Sequence, residues 1–183
     1  MKAYPQIDTL LDQAENARRC AHSSDPLIQK GLYRRYRAGD LARPYPGLFT
    51  RAEYWHQLNE PEQSLHMARA LRDLHPNWVF SGITAAAAHG FDHPRILHRQ
   101  GLTITLPSHG SYRPHEKLNI IYSPYPREKA VIANGIVVTN PSRTLLDCGR
   151  TIDFVHSLPI FDDAVRQKPL IAKLRRAGVP CVS

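Results

Sequence analysis

Apolar residues recur at helical spacing near the start of the chain. Ile7, Leu10, Leu11, Ala14 and Ala17 predict an amphipathic helix over residues 6–19. The polar run "HSSD" breaks the pattern, and Ser24 or Asp25 then offers an N-cap with Pro26 suited to the first turn. In "DPLIQKGLYRRYRAGD" the residues Ile28, Leu32 and Tyr36 form an apolar stripe. Lys30, Arg34 and Arg37 form a basic stripe on the far side, with Arg35 at its border. Gly39 suits the end of this helix, because it tolerates the left-handed conformation. Gly31 in its middle costs about 1 kcal/mol relative to alanine. Short apolar runs at 41–43 and 48–51 then flank Pro46-Gly47, a pair suited to a type II turn, and predict a hairpin.

Beyond the hairpin, "TRAEYWHQLNEPE" reads as a connection. A helix follows, with Leu65, Ala68, Leu71 and Leu74 on one side and a stop before Pro76. The remainder alternates strands and helices: "WVF", "ITAAAAHG", "LTITLP", "LNIIYS", "KAVIA" and "GIVVTN". Asn134-Gly135 between two apolar runs predicts a type I′ hairpin. The helices "PSRTLLDCGR", "SLPIFDDAVRQ" and "LIAKLRRAG" close the chain. The expected class is α+β: a winged helix-turn-helix over 1–55, a connecting helix over 56–75, and an α+β domain with a small mixed sheet over 76–183.

Charge adds a partner class to this outline. The 183 residues carry 24 Lys+Arg against 16 Asp+Glu, a formal net charge of +8. That balance favours a polyanion such as nucleic acid. Cys20, Cys148 and Cys181 are far apart and show no CxxC spacing, a pattern of reduced thiols rather than of disulfides or a zinc site. Neither a signal peptide nor an apolar run long enough to span a bilayer is present, so a cytoplasmic protein with no membrane partner is expected.

Helices, one of them with a basic face, followed by a hairpin carrying Arg43: this is the order of a winged helix-turn-helix, whose recognition helix lies in the major groove. Lys30, Arg34, Arg35, Arg37 and Arg43 are therefore the candidate contacts to double-stranded DNA. The plain alternative is a solvated helix face beside an ordinary hairpin, or a basic face that meets an acidic protein.

Other chemistry finds less support. His89, His93 and His98 cluster in sequence, but Gly90 ends the helix and keeps His89 and His93 off one face, so no metal site is expected. His89 fits a helix C-terminus, where positive charge is welcome. The alanine run 85–88 reads as a helix packed closely on a sheet, with Ser81 and Thr84 as candidates to cap its start. There is no GxSxG, Walker loop or GxGxxG. Asp162 and Asp163 lie in a helical stretch without the Glu-x-Lys strand of a metal-dependent nuclease. No cofactor and no enzymatic activity are expected.

One residue is out of place. In "GIVVTNPSRTLLDCGR" Arg143 falls in the first turn of a helix, against the positive end of its dipole. Centring the buried side on Leu145, with Cys148 and Ile152, puts Arg143, Asp147 and Arg150 together outside. They would form a surface charge ladder at i, i+4 and i+7. The alternative is an arginine that reaches off the helix to pin the strand-to-helix junction or meet a partner.

Three stretches together resemble the AbiEi-type antitoxin family of type IV toxin–antitoxin pairs. "GDLARPYPGLFT" is similar to its wing and "VFSGITAAAAHGF" to its Ser-x-x-Ser/Thr-Ala-Ala helix, on Ser81, Thr84 and His89. "GIVVTNPSRTLLD" is similar to its Val-Thr-x-Pro-x-Arg-Thr-Leu-x-Asp segment, on Thr139, Pro141, Arg143, Thr144, Leu145 and Asp147. The resemblance spans residues 25–170. It implies a repressor that binds operator repeats at its own promoter and counteracts a nucleotidyltransferase-like toxin. Some relatives continue into a very-short-patch-repair-like nuclease domain that this sequence does not contain, so no nuclease role is expected, and the alternative is a shortened relative of such a fusion.

Overall fold

The structure, a computed structural model, describes residues 5–108 and 115–167. It is α+β and divides into two compact units, Met1–Asn77 and Trp78–Ser183. Among the described residues no helix is long and apolar enough to cross a membrane.

The first unit opens with α1 (Pro5–Asn16) and α2 (Pro26–Arg37), followed by β1 (Leu41–Tyr45) and β2 (Leu48–Arg51). Ile7, Leu11 and Ala14 of α1 meet Leu32 of α2 and Leu41 and Phe49 of the hairpin in one core. That burial selects the helical stripe the sequence carries. The helix stops short of Ala17, which is exposed, because Arg18 turns to φ 49° and Arg19 N–H reaches back to the Ala14 carbonyl. Asp25 is the N-cap of α2, accepting from Leu27 N–H at 2.7 Å. Gly31 sits where a Cβ would collide with Ile7 Cδ1. Close approach of the two helices therefore explains a glycine that propensity alone disfavours.

Between α1 and α2 the chain forms no helix, in keeping with the break expected at "HSSD". There Ala21 pairs with Phe49 through two backbone hydrogen bonds of 2.7 and 2.9 Å, an isolated bridge that ties the linker to the edge of the hairpin. The hairpin turns at Pro46-Gly47 with Gly47 at φ +78°, as a type II turn requires.

The stretch read as a connection is partly helical. It forms α3 (Ala52–Gln57), and Asn59 and Glu62 then close a reciprocal capping box on α4 (Glu60–Leu74). Leu65, Ala68 and Leu71 are buried, whereas Leu74 is 45% exposed. α4 is no free linker: Cys20 N–H donates to the His66 carbonyl at 3.1 Å, and Arg69 Nη1 donates to the Arg18 carbonyl at 2.6 Å.

The second unit is built on a five-stranded mixed sheet in the order β5-β4-β3-β7-β6. β3 (Val79–Phe80) runs antiparallel to β4 (Leu102–Leu106) and parallel to β7 (Ile136–Val138). β5 (Leu118–Tyr122) extends the sheet parallel to β4. β6 (Val131–Ala133) and β7 form the expected hairpin, with Asn134 and Gly135 at φ 48° and 80°. α5 (Gly82–His89) follows β3, and α6 (Pro141–Thr151) and α7 (Phe154–Arg166) follow β7 in succession. Ile83, Ala86, Phe91, Cys148, Ile160 and Ala164 form their common core. Ala85 and Ala86 are fully buried, and a Cβ on Gly82 would lie 3.2 Å from Thr103 Cγ2, so small residues let α5 lie close on the sheet. The segment "LIAKLRRAG" lies outside the described residues.

Candidate nucleic-acid interface

Of the predicted DNA contacts, Lys30, Arg34 and Arg37 lie exposed on one side of α2, at i, i+4 and i+7. The core side of the helix is occupied by Leu32, so the amphipathic pattern fixes which way the cations point. Arg43 joins them from β1: its guanidinium stacks 4.9 Å over the ring of Tyr33. Tyr33 in turn meets Phe49 edge-on at 5.2 Å, which anchors the stack to the core. The hairpin arginine is thus held against the basic helix rather than swinging from the turn.

Arg35 stands apart from this set. Its Nη1 lies 2.5 Å from Asp8 Oδ1 and its Nε 2.5 Å from Asp40 Oδ2. Arg51 is consumed in the same way, by Asp12 at 2.7 Å and Glu15 at 2.8 Å. Asp8, Asp12 and Glu15 recur at i, i+4 and i+7 along α1 and form an acidic stripe. Sequence reasoning missed it, although the spacing was there to be read. The stripe pairs with Arg35 and Arg51, whereas Lys30, Arg34 and Arg37 are exposed along α2 and Arg43 is half-buried beside them.

In the second unit the motif residues converge on one backbone carbonyl. Thr139 N–H donates to the Phe80 carbonyl, continuing the parallel pairing of β3 and β7. The Thr139 carbonyl then accepts from His89 Nε2 at 2.9 Å and from Thr144 Oγ1 at 3.1 Å, while the two threonine hydroxyls lie 2.7 Å apart. His89 is the last residue of α5 and Thr144 belongs to the first turns of α6, so this carbonyl ties both helices to the sheet. Asn140 is the N-cap, Pro141 begins α6, and the Asn140 side chain accepts from Arg143 N–H at 3.0 Å. Thr84 does not cap α5; its hydroxyl accepts from Thr103 N–H at 2.9 Å on β4. Ser81 holds the N-cap position, but its side chain makes no cap bond and its buried Oγ has no partner.

The surface charge ladder is corrected. Asp147 is 1% exposed and lies on the inner face with Thr144 and Cys148, and only Arg150 is exposed. Arg143 Nε donates to Asp147 Oδ1 at 2.7 Å, and its guanidinium sits 5.4 Å from the centre of the Tyr125 ring. Tyr125 Oη accepts from Asn140 N–H at 2.9 Å and donates to the Lys129 carbonyl at 2.8 Å. Arg143 thus keeps the expected i, i+4 partner and also contacts Tyr125, whose hydroxyl is bonded to the N-cap of α6. Burial pushes the Asp147 carboxyl up, against the opposing pull of Arg143.

His93 and His98 share a hydrogen bond of 2.8 Å between their Nε2 atoms. Among the described residues no three His, Cys, Asp or Glu side chains converge to hold a metal ion. The Cys148 thiol is pushed up to about 12 by burial and by the neighbouring Asp147, and Cys20 is raised by burial alone. Neither is a thiolate at neutral pH. A cavity of about 220 Å³ is lined by Ile83, Leu97, Thr103, Asn119, Ile121 and Ile152, without a charged side chain among them. No protein-family model matches the chain, and no curated protein matches it.

Proposed function

We propose that the chain is a DNA-binding transcriptional regulator of the antitoxin type, which represses its own promoter and counteracts a nucleotidyltransferase-like toxin. In this reading the first unit is a reduced winged helix-turn-helix. α2 enters the major groove, and the hairpin, carrying Arg43, flanks the backbone. The observation that carries the reading is the sorting of charge. Arg35 and Arg51 lie half-buried against the acidic stripe of α1, while Lys30, Arg34 and Arg37 are exposed together on one side of α2. The toxin part of the reading rests on the motif resemblance around Thr139 and Arg143. A protein partner for the second unit is further favoured by α7, where Phe154, Val155 and Val165 are largely exposed.

A reporter fused to the DNA upstream of the coding sequence tests the regulatory claim. Expression of the chain should lower reporter output, and Lys30→Glu with Arg37→Glu should restore it while the protein accumulates normally. Output that never responds to the chain would reject autorepression.

A further inference from the structure

We propose that Leu27 reads the C5-methyl group of a thymine, which makes it a specificity-determining residue of the DNA site proposed above. Leu27 is 77% exposed, more than any other large apolar side chain among the described residues. A lone exposed leucine is ordinary on a protein surface. This one, however, begins the basic stripe: Leu27, Lys30, Arg34 and Arg37 follow at i, i+3, i+7 and i+10, and with Tyr33 they line one concavity. Its backbone is held by the Asp25 cap, and its neighbour Ile28 packs against the core. The side chain is therefore presented outward from an ordered first turn.

The chemistry of the major groove selects its target. Leucine has no donor or acceptor, so it cannot read the hydrogen-bonding edge of any base, nor can it hold a phosphate. The thymine methyl is the apolar group exposed in that groove, and recognition helices read bases with their N-terminal residues. The helix rises about 1.5 Å per residue, so Leu27 and Lys30 lie about 4.5 Å apart along the axis. Base pairs stack about 3.4 Å apart, so the two side chains address neighbouring base pairs. The bound duplex thus carries a thymine beside the pair that Lys30 contacts.

The inference rests on α2 entering the major groove, and the experiment separates the two claims. The full chain is used to select duplexes from a pool of short randomised sequences, and the selected duplex is resynthesised with uracil replacing each thymine singly. One replacement should weaken binding by about three- to tenfold, the worth of a buried methyl contact, and the others should not. Leu27→Ala should weaken the thymine duplex by a similar factor and bind thymine and uracil forms equally. Leu27→Gln should shift the preference at that position toward adenine, which glutamine can pair. Thymine and uracil forms bound equally by the parent chain, or still distinguished by Leu27→Ala, would overturn the inference while leaving DNA binding intact. A chain that retains no duplex from the pool overturns both.

Discussion

Arg143 and Asp147, one helical turn apart, form an ion pair of 2.7 Å whose carboxylate is 1% exposed. Asp147 Oδ2 and Arg143 Nη2 are buried without a partner, so the pair is the principal compensation for an acid held away from water. Removing the cation should therefore cost far more than a surface pair. Arg143→Met is expected to lower stability by about 3 kcal/mol. The double change Arg143→Asp with Asp147→Arg keeps both charges and improves them against the helix dipole. It should still melt several degrees below the parent, because an arginine does not fit the space of Asp147. Thermal melts of the two proteins check this; a swap that melts at or above the parent temperature would return the pair to the surface.

Gly31 offers a test of the contact between α1 and α2. In an exposed helix, Gly→Ala would stabilise by about 1 kcal/mol. Here the added methyl meets Ile7 Cδ1, and overpacking costs about 1–3 kcal/mol. Gly31→Ala should thus destabilise, and adding Ile7→Val should recover most of the loss. Chemical denaturation of the single and double variants decides it.

His66 makes the first unit sensitive to acid. Its ring lies between Tyr54 Oη at 2.8 Å and the Glu62 carbonyl at 2.7 Å, and burial lowers its pKa below the ordinary value. A histidine lowered on folding binds its proton more readily when unfolded. Its contribution is therefore complete above the unfolded value near 6.5 and is lost as pH falls through the folded value. Stability should decline as pH drops below about 6.5, and His66→Gln should flatten that decline. Urea midpoints measured from neutral pH down to mildly acidic pH report it.

Much of the fold was legible because local signals agreed with burial. The Asp25 cap, the Pro46-Gly47 and Asn134-Gly135 turns and the Leu65–Ala68–Leu71 face each follow from a residue's own geometry or period. What escaped was set by pairs distant in sequence. Ala21 bridges to the hairpin only because Phe49 offers it an edge, and Arg35 is drawn from the basic face by Asp8 on α1. Asp147 misled for a different reason. Its spacing with Thr144 and Cys148 marks the inner face, but a carboxylate is assigned outward unless its partner is weighed with it.

The central claim is that Lys30, Arg34, Arg37 and Arg43 meet the phosphates or bases of duplex DNA while Arg35 does not. The most direct measurement is duplex affinity as a function of salt, for the parent and two variants. The parent should show a slope of log affinity against log salt of about −3 to −4, near −0.9 for each phosphate engaged. Arg34→Ala with Arg37→Ala should flatten it by one or two units; Arg35→Ala should lower stability and leave the slope unchanged. A parent slope near zero, or one that Arg34 and Arg37 do not move, would contradict the account.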